Sequence, residues 1–164
     1  MASQPTAKDD EMIRLVLDEG FRAIKIGKAG VGALLLYGDE ILALGHNESK
    51  ETGDLTAHAE MVVIREAAFR LGQMSDDDKA KLTIYSTLEP CIMCTCAISV
   101  AGITRVVYAA LTEDWSEDQM IADDVTIHTL NPRLTRGSLE LIGGVHREEG
   151  KKLLTAMQEQ EADS

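Results

Sequence analysis

One histidine, one glutamate and two cysteines set the tightest limit on how this chain can fold. His58 and Glu60 stand in Thr56-Ala57-His58-Ala59-Glu60, and the cysteines in Glu89-Pro90-Cys91-Ile92-Met93-Cys94. One imidazole and two thiolates can supply three ligands to a zinc ion. A fourth position then stays open for water, which is the arrangement of a catalytic zinc site and not of a closed structural one. Cys91 and Cys94 are three residues apart, so at a helix start both point to one side. The positive end of that helix lowers thiol pKa values and favours thiolates. His58 stands at the start of the preceding helix. If the two helix N-termini converge, the three side chains can meet a single ion.

Glu60 follows His58 by two residues, too close on the same turn to act as a fourth ligand beside it. A carboxylate there can take a proton from the activated water and hand it on to a substrate nitrogen. Zinc would bring the pKa of that water toward ~7. The Cys-x-x-Cys pair could instead be a redox dithiol, but such a motif needs no His-x-Glu upstream. The third cysteine, Cys96, is expected to face elsewhere on the helix, as a packed apolar residue and not a ligand. An odd number of cysteines argues against a disulfide framework.

In chain order, residues 1–8 read as a loose tail. A helix follows from Asp9, with Asp9 or Asp10 as cap and Gly27 as stop. Val31 to Tyr37 and Glu40 to Leu44 read as strands around a Gly38-Asp39 hairpin turn. Thr56 to about Leu71 is a helix, and Ser75 to Asp78 an acidic turn. Leu82 to Tyr85 is a strand, Cys91 to Ala101 a helix entered through Pro90, and Arg105 to Ala110 a strand. Leu111 to Pro132 has no clear pattern. Leu139 to His146 reads as a last strand and Glu148 to about Gln160 as an amphipathic helix. This succession implies one domain over 9–160, an α/β sandwich with one mixed sheet and helices on its faces, followed by an acidic tail at 161–164.

At these motifs the chain resembles the cytidine-deaminase-like superfamily, from roughly Val31 to Ala110. The likeness is to the branch holding tRNA adenosine deaminase, bacterial guanine deaminase and fungal cytosine deaminase. Asp54-Leu55-Thr56-Ala57-His58-Ala59-Glu60 is similar to the D-P-T-A-H-A-E run of the first two, with Leu55 where proline is usual. Thr87 to Cys94 fits as well, and Gly45-His46-Asn47 precedes His58 at the family spacing. The resemblance implies a three-layer α-β-α sandwich with a five-stranded sheet, one zinc ion at His58, Cys91 and Cys94, and Glu60 as proton shuttle. It further implies that Asn47 hydrogen-bonds the substrate and that backbone at Ala57 or Cys91 holds the substrate's edge. Homodimers are common in the family. His46, His128 and His146 are expected at the surface or in packing, and Glu89 either near the site or as a solvated or capping group.

The resemblance implies hydrolytic removal of an exocyclic amine, as ammonia, from a small nucleobase, nucleoside or related heterocycle. A guanine-type substrate is favoured and a cytosine-type one next. Ile121 to Asp124 looks somewhat like the segment where guanine deaminases place a second acidic group, which marks Asp123 and Asp124 as candidates beside a solvated loop. Trp115 could wall the pocket, although burial is the commoner use of a lone tryptophan. The rival is adenosine deamination in tRNA. Against it stand a net charge of −12, from 28 acidic and 16 basic residues, and the acidic C-terminal helix end, since nucleic acids are held chiefly by Lys and Arg on phosphates. A third reading is a non-catalytic zinc-containing partner subunit, which Glu60 argues against. With no apolar run of the ~20 residues a membrane helix needs and no secretory layout at the N-terminus, the expected location is the cytoplasm, without membrane partners.

Overall fold

The computed structural model describes residues 2–116 and 120–164. Its centre is a five-stranded mixed sheet in the order β2-β1-β3-β4-β5. β1 (Gly32–Tyr37) and β2 (Glu40–His46) form the expected antiparallel hairpin, with a bulge between Leu35 and Leu36. Its two-residue turn has Gly38 at φ 58°, a left-handed conformation that glycine adopts without strain. β3 (Leu82–Leu88) pairs antiparallel with β1. β4 (Arg105–Ala110) and β5 (Glu140–Gly143) then continue the sheet in parallel.

The helices are α1 (Ala7–Lys25), α2 (Ser49–Thr52), α3 (Ala59–Glu66), α4 (Ala68–Gln73), α5 (Asp76–Lys79), α6 (Ile92–Val100), α7 (Ile127–Leu130) and α8 (Arg147–Ala162). α1 and α8 pack on one face of the sheet, and α3, α6 and α7 on the other, which gives the three-layer sandwich. Alternation along each strand feeds the two cores. Ala33, Leu35, Ile84 and Val106 meet Val63, Ile98 and Ile127 on one side. Leu34, Leu36, Tyr85 and Val107 meet Ile13, Val16 and Leu153 on the other. Strands covered on both faces read as continuous apolar runs, as β1 and β4 do.

Several boundaries differ from the sequence expectation for local reasons. α1 starts at Ala7 because Thr6 is the cap, its hydroxyl accepting from the Asp9 N–H while the Asp9 carboxylate accepts from the Thr6 N–H. Asp9 is buried, and its carboxylate takes a two-pronged ion pair from Arg105 at 2.8 Å and a hydrogen bond from the Tyr85 hydroxyl at 2.9 Å. The helix expected over Thr56 to Leu71 is two helices, divided at Ala67, and the first starts only at Ala59. The acidic turn is the short helix α5, capped by Ser75. β3 runs past Tyr85 to Leu88 because Ser86 and Thr87 are buried and bonded, Thr87 accepting from the Gly32 N–H at 3.1 Å. β5 is shorter than expected, and α8 begins one residue earlier. Among the described residues no helix is long and apolar enough to cross a membrane.

Candidate active site

β2 and β3 are both antiparallel to β1, so they run the same way and end at the same edge of the sheet. The chain leaving β2 turns into α3, and the chain leaving β3 turns into α6. Two helix N-termini therefore open at one edge, where α/β sheets commonly bind ligands. His58 is the N-cap of α3 and Cys91 the N-cap of α6. Both have extended backbone, and neither side chain caps its helix. The imidazole and the thiol are thus left free for another partner. The turn ahead of His58 is fixed by Asp54, which accepts from the Thr56 N–H at 2.9 Å, and by Arg65, which donates to Asp54 at 2.7 Å and to the Thr56 hydroxyl at 3.1 Å.

His58 Nδ1 lies 3.6 Å from Cys91 Sγ and 3.6 Å from Cys94 Sγ. All three donor atoms fall within 4.8 Å of one another. Tetrahedral zinc, with Zn–N of about 2.0–2.1 Å and Zn–S of about 2.3 Å, separates nitrogen from sulfur by about 3.6 Å. The donor set fits zinc in both chemistry and spacing. Hydrogen bonding from Cys94 and then from His58 holds the Cys91 thiol down at about 4 against the effect of burial. Cys94 is pushed the other way, first by its bond to Cys91 and then by burial. A dication there would stabilise both sulfurs as thiolates.

Glu60 sits in the first turn of α3 and is buried. Its Oε1 accepts from the Ser86 hydroxyl at 3.2 Å, and its Oε2 lies 3.5 Å from Cys94 Sγ. Burial pushes the carboxyl pKa up from its ordinary value. Among the described residues only His58, Cys91 and Cys94 group as metal ligands, which leaves Glu60 free for proton transfer.

A cavity of about 360 Å³ opens over these groups, with His58, Glu60 and Cys91 in its wall. Asn47 also lines it. The Asn47 Oδ1 accepts from the Ser49 N–H at 3.0 Å and from the Ser49 hydroxyl at 2.7 Å, while its Nδ2 donates to nothing among the described residues. Trp115 is half-buried: it lines the cavity and packs against Ala110, Leu154 and Met157. Ala57 is buried outside the lining, its N–H bonded to the Asp54 carbonyl and its own carbonyl accepting from Glu48 N–H. Asp123 and Asp124 are exposed and do not line the cavity. Their turn, with Asp124 at φ 56°, puts Ile121 and Val125 on the wall instead.

Cys96 is exposed and not packed, because its side of α6 has no neighbouring layer. His46 is buried between Glu19, at 2.9 Å, and Glu51, at 3.4 Å. His128 is exposed and shares a hydrogen bond with the Tyr108 hydroxyl, and His146 is the N-cap of α8. Ser86 escaped the sequence reading, although it carries the alternation of Leu82 and Ile84 onto the α3 side. A hydroxyl on a core face signals a buried partner. Met157 and Glu161 also line the cavity: the first stands in the apolar stripe of the last helix, and the second, expected in the acidic tail, belongs to α8 because that helix continues to Ala162.

The zinc-binding region of the cytidine and deoxycytidylate deaminases matches residues 6–110. The chain belongs to that family. This deaminase is 35% identical over 122 residues to the tRNA-specific adenosine deaminase of Aquifex aeolicus (strain VF5), covering 74% of this chain and 79% of that one. A structure from a study of A-to-I editing by tRNA:A34 deaminases superposes with a TM-score of 0.71 at 30% identity, covering 88% of this chain and 99% of the other. The guanine deaminase of Nitrosomonas europaea superposes with a TM-score of 0.72 at 20% identity, covering 99% and 86%, a likeness of fold alone. The deaminase is accordingly a zinc-dependent hydrolase of C–N bonds. The exclusion of nucleic acid drawn from net charge does not stand beside these relatives. Net charge is a sum over the whole surface and does not report the field at one site.

Proposed function

We propose that this deaminase removes the exocyclic amine of an adenine ring presented in tRNA, releasing ammonia and leaving a hypoxanthine ring. The supporting observation is the 35% identity to a relative named for that substrate. The runs around His58 and Cys91 build the site itself. A base extruded from a nucleic acid needs a pocket that encloses one ring and reads its edge, and the cavity has the size and the mixed wall for it. In this reading the Asn47 Nδ2 donates to the base and Trp115 lies against its face. Glu60, steadied by Ser86, moves one water proton to a ring nitrogen and the second to the departing amine. His58, Cys91 and Cys94 would hold the zinc, which would supply the activation of water.

A second reading is a free aminated base, guanine first and cytosine next. It is supported by Lys50 as the one Lys or Arg among the described residues lining the cavity. Zinc-loaded protein incubated with tRNA transcripts and, separately, with guanine, cytosine, adenine and their nucleosides distinguishes the two. Inosine in the transcript with no ammonia from the free compounds is the expected result. Ammonia from a free base and an unchanged transcript would replace the first reading with the second. We further infer a cytoplasmic homodimer. Phe69 on α4 and Val100 on α6 are large apolar side chains left exposed, and each offers a place at which the interface can be tested.

A further inference from the structure

Glu89 lies between the end of β3 and the N-cap of α6, two residues before Cys91. It is 8% exposed and belongs to the residues lining the cavity. Its Oε2 accepts from the Thr112 N–H at 3.1 Å, which ties it to the turn that carries Trp115. Its Oε1 is buried and has no hydrogen-bond partner among the described residues. Leaving such an oxygen unpaired is costly, and more so for a charged group. Native proteins rarely tolerate it away from a site of function or binding. Among the described residues no cation stands against Glu89, whereas the buried Asp9 has Arg105.

We propose that Glu89 is a specificity-determining residue whose Oε1 accepts a hydrogen bond from a donor on the bound substrate, a ring N–H or a sugar O–H remote from the reacting carbon. The Thr112 bond presets the carboxylate, so that little side-chain freedom is lost when the substrate arrives. A substrate lacking the donor leaves Oε1 unpaired, and sites built in this way reject such analogues strongly. Glu89 therefore selects among ring compounds that Glu60 and the zinc ligands would treat alike. The assignment rests on the deaminase reading of the cavity, but its test does not depend on turnover.

Trp115 is the only tryptophan and lines the cavity, so its fluorescence reports ligand binding. Zinc-loaded wild type and Glu89→Gln are titrated with adenosine, guanosine, adenine, guanine and cytosine, and with sugar-deoxy and ring-N-methyl analogues. Glutamine keeps a carbonyl for the Thr112 N–H but offers an amide donor in place of the second acceptor. The expected result is binding weakened about tenfold or more in Glu89→Gln, with zinc content and melting temperature unchanged. One donor-deleted analogue should bind both proteins equally weakly. Removing the donor from the ligand asks the same question of the unaltered protein, should the variant fold poorly. Equal affinity of wild type for every analogue, or an undiminished affinity in Glu89→Gln, overturns the assignment and leaves the deaminase reading intact. Binding that depends on Glu89 without ammonia release from these free compounds supports Glu89 and agrees with the transcript as the substrate that reacts. Absence of binding by every compound overturns the assignment.

Discussion

Glu60 occupies a buried position between a hydroxyl and a thiol, and each neighbour gives it a different task. Glu60→Gln keeps the shape and the Ser86 bond but cannot carry a proton. Turnover should fall by about 10²-fold or more while zinc content, measured by metal analysis, stays at one per chain. Activity within a few-fold of wild type would remove Glu60 from the reaction. Ser86→Ala leaves the carboxyl without its 3.2 Å donor. We expect a drop in kcat of several-fold with metal content unchanged, since Ser86 touches none of the three ligands. The zinc ligands and Glu60 were legible in the sequence because their chemistry demands fixed residue types at fixed spacing. Ser86 was not, because a serine in a strand has no diagnostic spacing, and only the pairing of β3 shows which face it joins. Asp123 and Asp124 stayed open between the site and a solvated loop for a related reason: a short acidic string carries no information about which way its turn faces.

Between elements, the same edge of the sheet receives α3 and α6 only if β1 pairs with both β2 and β3. That pairing follows from apolar strands read easily in the sequence, so the sandwich was legible from alternation and turns. What the chain did not announce was the tie across the other layer. The Asp9 of α1 reaches Arg105 of β4 and Tyr85 of β3, though the sequence suggests no more than a helix cap. Burial alone would raise the Asp9 pKa, but Arg105, the Thr6 N–H and Tyr85 together hold it well below the usual carboxylate range. The stability it contributes is therefore complete above the unfolded value of about 4 and is lost as pH falls below it. Asp9→Ala should destabilise the fold by about 2–3 kcal/mol. That is somewhat less than the 3–5 kcal/mol of a fully buried pair, because the Arg105 side chain is 22% exposed and keeps Glu140. Thermal melts at pH 7 should show the loss, and acid titration of the variant should show a weaker dependence on pH than wild type below about pH 4. A second test concerns the crossing of α1 and α8. A Cβ on Gly20 would collide with the Gly30 carbonyl and lie 2.7 Å from Leu153, so Gly20→Ala should cost about 1–3 kcal/mol in denaturant unfolding.

Taken whole, the molecule carries a strongly negative charge and yet resembles enzymes named for an RNA substrate. If RNA is bound, the few available cations must act locally, and binding should weaken only modestly with salt. A slope of log K against log salt near one or two would fit a sparse set of contacts, whereas a steep slope would reveal a local basic surface that the net charge conceals. The proposed homodimer makes a separate prediction: Phe69→Glu should shift the mass measured by light scattering from two chains toward one. An unchanged mass would place any interface elsewhere. The segment that matches the family ends at residue 110, while Thr112, Trp115, Ile121 and Met157 of the cavity wall all lie beyond it. The family model thus spans the residues that group around the metal position, and part of the cavity wall comes from the chain beyond it. Grafting residues 111–162 between deaminases should accordingly exchange their preferences and leave the chemistry of water and proton where it was.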